Sequence, residues 1–111
     1  MQTFKHNIEI NGVFLAFLDG QKCAVIAHFY EEIAKALNFP DYFSPNLDSF
    51  DECLNDLSWI PQKEIQLLIF NYEDLLYEEQ YHLEVINNIF ANAIGELEDK
   101  GIFLTVSTQT L

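Results

Sequence analysis

The order of segments in this sequence predicts an α/β domain, a small three-stranded parallel sheet packed against about four helices. Three observations predict it. Residues 13–18, 64–72 and 102–106 are short, predominantly apolar runs of strand length. Between them lie segments whose apolar residues recur at three- and four-residue steps, the period of an amphipathic helix. Strands separated by helices imply right-handed crossovers, and therefore parallel pairing.

In chain order, Asn11-Gly12 is a turn signal. The continuous apolar run 13–18 that follows suits a strand buried on both faces. Residues 27–38 read as a helix: Ile26, Phe29, Tyr30, Ile33, Ala34 and Leu37 share one face, Glu31, Glu32 and Lys35 the other, and Pro40 stops it. After the loop 41–45, Asn46 is a good N-cap for a second helix, because its side chain satisfies a free backbone N–H. Leu47, Phe50, Cys53, Leu54 and Leu57 form the inner stripe of that helix, and Asp48, Asp51, Glu52 and Asn55 the outer one. Pro61 breaks the chain before the second strand, 64–72. Residues 73–80 read as a short helix and 81–100 as a long one, with Gly101 as its C-terminal cap and Lys100 placed to complement its dipole. The last strand is 102–106, and 107–111, Ser-Thr-Gln-Thr-Leu, reads as a frayed tail.

The 111 residues suit a single domain, 1–111, with a core large enough to fold without a disulfide or a metal. Two cysteines, Cys23 and Cys53, make no disulfide framework and are expected as buried free thiols. The N-terminus has no apolar leader, no apolar run approaches the length of a membrane span, and no N-x-S/T acceptor occurs. A cytoplasmic protein, monomeric when free, is the expectation. Eighteen acids against five lysines and no arginine give a net charge of −13. Such a field repels nucleic acid and anionic membranes and draws in basic partners.

Catalytic signatures are missing. His6, His28 and His82 fall in unrelated segments, no phosphate-binding glycine loop is present, and Cys53 lies on the inner stripe of its helix. No cofactor is expected. The unusual stretch is Phe39 to Leu57, which holds Asp41, Asp48, Asp51, Glu52 and Asp56 with no lysine, and sets Tyr42, Phe43 and Phe50 among them. Asp48 and Glu52 are four residues apart and share a helix face. By spacing alone this is an ordinary solvated face. The exposed aromatic beside the acids is instead the composition of a protein-binding hot spot.

The string "FPDYFSPNLDSFDECL" is similar to the central segment of the barstar-related family of intracellular ribonuclease inhibitors. The shared pattern is a proline, an acid, two aromatics, a two-residue gap, Asn-Leu-Asp, and then an acid followed by Cys-Leu. The likeness runs from about Asp19 to Leu54 and resumes over "NNIFANAIGELEDKG" and "IFLTV", leaving residues 1–12 as an N-terminal extension. The resemblance implies a barstar-like fold, and a plug for the basic active site of a ribonuclease or ribonuclease toxin domain. By position it implies that Tyr42 lies over the enzyme's active site and that Asp48 is the first acidic contact. Glu52 stands for the prototype's principal acid, an aspartate, and Glu96 for an acid on the last helix. Asn46 matches the cap and Cys53 a helical cysteine. Asp51, set among these contacts, stands where the prototype has tryptophan, and Ser44-Pro45 replaces a glycine and an acid, which stiffens the loop. The chain is therefore expected to be an inhibitor or immunity protein and not an enzyme. The alternatives are a binding module of the same fold for a basic partner that is not a nuclease, and a carboxylate/metal enzyme built on Asp48 and Glu52.

Overall fold

A computed structural model describes residues 5–110. Four strands form one mixed sheet in the order β1-β2-β3-β4. Strands β2 (Val13–Asp19), β3 (Glu64–Phe70) and β4 (Phe103–Gln109) are the expected parallel set, in a register that aligns Val13, Glu64 and Phe103. The expected count of three is corrected by β1 (Asn7–Ile10), which runs antiparallel to β2 through the Asn11-Gly12 turn. Both turn residues have positive φ, 52° and 81°, the backbone that a tight hairpin requires. The Glu9 carboxylate accepts from the Gly12 N–H at 3.0 Å. Four residues containing two isoleucines are a weak strand signal by themselves; pairing of Ile8 with Leu15 and Ile10 with Val13 supplies what the local sequence lacks. The tail is corrected as well. Ser107, Thr108 and Gln109 are not frayed but pair with Leu68, Ile69 and Phe70.

Three α-helices form, not four: α1 (Ile26–Ala36), α2 (Leu47–Leu54) and α3 (Leu83–Glu98). The expected helix at 73–80 is replaced by a 3-10 turn, Tyr72–Asp74, and further turns. The Leu76 N–H bonds the Cys23 carbonyl at 2.7 Å and the Glu78 N–H the Ala24 carbonyl at 3.0 Å, with Leu75 and Leu76 buried. These long-range bonds replace the local ones a helix would make. The same segment caps α1 from a distance, since Glu79 Oε1 accepts the Ile26 N–H at 2.7 Å where Val25 offers no side-chain cap. Helix α1 ends in a left-handed Asn38 (φ 54°), with the Phe39 N–H bonded to the Ala34 carbonyl; α3 ends at Gly101 (φ 79°), with the Ile102 N–H on the Leu97 carbonyl.

The helices cover one face of the sheet. Phe14, Ala16 and Leu18 of β2, Ile65, Leu67 and Ile69 of β3 and Leu104 of β4 are buried beneath them. On the opposite face Val13, Leu15 and Phe17 are half-buried, so β2 alternates and is not enclosed on both sides as its unbroken apolar run suggested. Phe50 of α2 links the helices: its ring packs edge-on against Phe29 of α1 at 5.3 Å and Phe90 of α3 at 5.7 Å. At the end of β2 the chain passes so close to Asn71 that a Cβ on Gly20 would collide with the Asn71 carbonyl. Asp19 secures this crossing by accepting from Asn71 Nδ2 at 2.9 Å and from the Gln21 N–H at 3.0 Å.

Candidate functional site

The acidic stretch forms a loop and a helix braced from inside. Asn46 Oδ1 accepts the Ser49 N–H at 2.8 Å, as an N-cap should, and Ser49 Oγ accepts the Ser44 N–H at 2.9 Å. Phe43 turns inward and packs against Phe39 at 5.0 Å and Tyr30 at 6.2 Å. Trp59 pins the loop's start: its Nε1–H donates to the Leu37 carbonyl at 2.9 Å and its ring meets Phe39 edge-on at 5.9 Å. Phe50, Cys53 and Leu54 anchor α2 in the core.

Against this braced backing Tyr42 points out, 65 % exposed. Its phenol is raised above the ordinary value of 10.0, first by desolvation, then by Cys53, Asp56 and Glu52 nearby. Asp48, Asp51 and Glu52 are all exposed. Asp48 sits in the first turn of α2, where the helix dipole favours an anion. Asp48 and Glu52, four residues apart within α2, share one face, and Asp56 follows just beyond the helix end. The Asp51 carboxylate accepts from Asn55 Nδ2 at 2.7 Å. Among the described residues no lysine or histidine forms an ion pair with Asp48, Asp51, Glu52 or Asp56. Lys100 Nζ donates to the Asn55 carbonyl at 2.8 Å, so it complements the C-terminus of α2. Glu96, in the last turn of α3, is exposed.

Of the site residues named from the sequence, Tyr42 lies on the loop before α2, Asp48, Asp51 and Glu52 on α2 itself, and Glu96 on α3. Asp56, one of the five acids of the stretch, is half-buried just beyond the end of α2. Trp59 turns out to be a brace.

Both thiols are buried and free. Burial pushes Cys23 up to about 12, helped by Glu32 and Asp19. Cys53 is also raised, by burial first; the nearby Ser49 hydroxyl pulls the other way, and Glu52 and Asp56 add to the rise. His28 is exposed, His6 sits 3.4 Å from Glu32, and His82 stacks on Tyr81, three separate places. Among the described residues no group of three or more His, Cys, Asp or Glu side chains converges to hold a metal. No helix among them is long and apolar enough to cross a membrane.

The fold is a small α/β domain with its helices on one sheet face, and it displays an exposed tyrosine on the loop that leads into an acidic helix. Residues 13–109 match the family model for Barstar (barnase inhibitor), and the chain belongs to that family of ribonuclease inhibitors. The match begins at Val13, so β1 lies outside it. No curated protein matches the chain.

Proposed function

We propose that the chain is an inhibitor or immunity protein that closes the basic active site of a ribonuclease or ribonuclease toxin domain with the surface from Tyr42 to Asp56. A ribonuclease cleft is lined with Arg, Lys and His that hold phosphates. Carboxylates spaced along a helix stand in for those phosphates, and an aromatic ring lies where a base stacks. Asp48 and Glu52 make the central contacts, Tyr42 covers the cleft, Asp51 and Asp56 flank it, and Glu96 adds a charge from α3. Desolvating a carboxylate is costly, so the gain depends on close, hydrogen-bonded pairing with arginine or lysine. The net charge of −13 steers the encounter and makes it sensitive to salt. The protein performs no reaction and needs no cofactor.

The observation that carries this reading is the coincidence of an exposed Tyr42 with carboxylates left unpaired by the protein's own lysines. It is tested by titrating the protein into a panel of purified microbial ribonucleases and ribonuclease toxin domains and following RNA cleavage. The expected result is stoichiometric inhibition of at least one enzyme, lost by tenfold or more in Asp48→Ala and Glu52→Ala while both variants stay folded. Inhibition untouched by either substitution would move the interface elsewhere.

A further inference from the structure

The two edges of the sheet differ in kind. Strand β1 is four residues long, carries Glu9 and closes at once into a tight turn. Strand β4 is seven residues long, Phe-Leu-Thr-Val-Ser-Thr-Gln. From Gly101 to Thr110 the chain has no ionisable side chain, in a protein whose net charge is −13. Proteins ordinarily blunt an exposed edge with a charge, a proline or a bulge. This edge has no charge and no proline, and its pairing with β3 runs unbroken through seven residues.

The register says which of its backbone groups are free. The Phe103 N–H bonds the Lys63 carbonyl at 2.7 Å. In a parallel ladder alternate residues turn both their N–H and C=O to the same neighbour. Phe103, Thr105, Ser107 and Gln109 therefore face β3, and Leu104, Val106 and Thr108 present their N–H and C=O outward. Among the described residues nothing bonds those outward groups. Phe103, 55 % exposed, adds apolar surface at the start of the strand. Beside the strand, on the open face, lies a groove of about 250 Å³ lined by Leu15, Phe17, Gln66, Leu68 and Ser107.

We infer that β4 is a self-association edge, and that two copies of this chain join their sheets by antiparallel β4–β4 pairing about a two-fold axis at Val106. The second copy is the occupant because the edge is self-complementary. Centring the pairing on Val106 sets Leu104 against Thr108 of the other copy and Val106 against its twin. All outward groups then meet in three reciprocal pairs, six hydrogen bonds in all. A two-fold contact uses the same patch on both partners, which this register satisfies. Charge selects the same place: two chains of −13 repel, and β4 is a long edge where no like charges meet. The contact is small and belongs to the weak, transient class of interfaces. It leaves residues 42–56 and Glu96 on elements of their own, and replaces the expectation of a monomer with that of a monomer–dimer equilibrium.

Salt gives this dimer a signature opposite to that of a complex with a basic partner. Raising ionic strength from about 0.01 M to about 1 M shortens the Debye length from roughly 30 Å to roughly 3 Å, which screens the repulsion between copies. Sedimentation equilibrium of the full chain should show dimerisation strengthening at least tenfold over that range. Thr108→Pro removes an outward N–H that β3 does not use, so the fold is kept and association should fall at least tenfold. Thr105→Lys combined with Ser107→Lys, both at exposed positions, sets lysines opposite each other across the axis and should act likewise; it decides the matter if the proline variant melts early. A chain that stays monomeric at high salt and high concentration would overturn the inference, as would dimerisation unchanged in both variants.

Discussion

Replacing Glu52 with glutamine should make the protein more stable. Glu52 lies in the last turn of the eight-residue helix α2, where the helix dipole disfavours an anion. Asp48 sits four residues before it and Asp56 four after, and no lysine or histidine among the described residues pairs with any of the three. A like-charge pair at this spacing costs about 0.2–0.5 kcal/mol. The adverse dipole adds about 0.3 kcal/mol at an exposed position. Asp56 lies just beyond the helix, so its share is the smaller. Together these terms predict a gain of about 0.5–1 kcal/mol for Glu52→Gln at low salt. For a domain of this size that is a rise in Tm of roughly 2–6 °C. Asp48→Asn should show no such gain, because Asp48 is favoured by the helix N-terminus as much as it is repelled by Glu52. The assay is thermal unfolding by circular dichroism at about 0.01 M and about 1 M salt, where the Glu52→Gln gain should largely vanish as screening removes its source. A Tm that falls, or a gain indifferent to salt, would refute the idea that this face is held at a cost to folding.

Two further predictions concern what lies beneath the site. Phe50→Ala should lose about 3–5 kcal/mol in chemical unfolding, because a fully buried ring that touches both Phe29 and Phe90 leaves a cavity shared by three helices; a loss under 1 kcal/mol would mean that the helices close over the gap. Cys23, raised from 9.0 to about 12 chiefly by burial, keeps its proton while the chain is folded. Above pH 9 the unfolded chain gives up that proton first, so the contribution is complete below pH 9 and drains away as pH rises toward 12. The loss is on the order of 4 kcal/mol at most. Thiol alkylation at pH 8 should accordingly track unfolding, and labelling of the native protein at the rate of a free thiol would contradict it.

The legible parts of the fold are those whose cause is local. The unbroken apolar run at 13–18, the Asn46 cap and Gly101 each act through their own neighbours, and each appears where the sequence put it. The parts that stayed hidden depend on distant partners. Residues 7–10 become a strand because Ile8 and Ile10 meet Leu15 and Val13. Ser107 to Gln109 extend β4 because β3 offers them a ladder, whatever their polarity. Residues 73–80 have helix composition, yet Leu76 is held by the Cys23 carbonyl with its φ at 55°. The site follows the same rule. Its carboxylates were legible as charges, and the aromatic brace under Tyr42 only in part, because the Trp59 bond to Leu37 spans 22 residues.

Helix α2 divides most of its eight residues between core and solvent. Phe50, Cys53 and Leu54 face the core, while Asp48, Asp51 and Glu52 touch solvent. The loop before it divides the same way, with Phe43 turned in and Tyr42 out. In the proposed function, folding and recognition are thus written in separate letters of one short segment. The outward letters can be respelled for a new adversary, one substitution at a time, while the scaffold that displays them stays as it was.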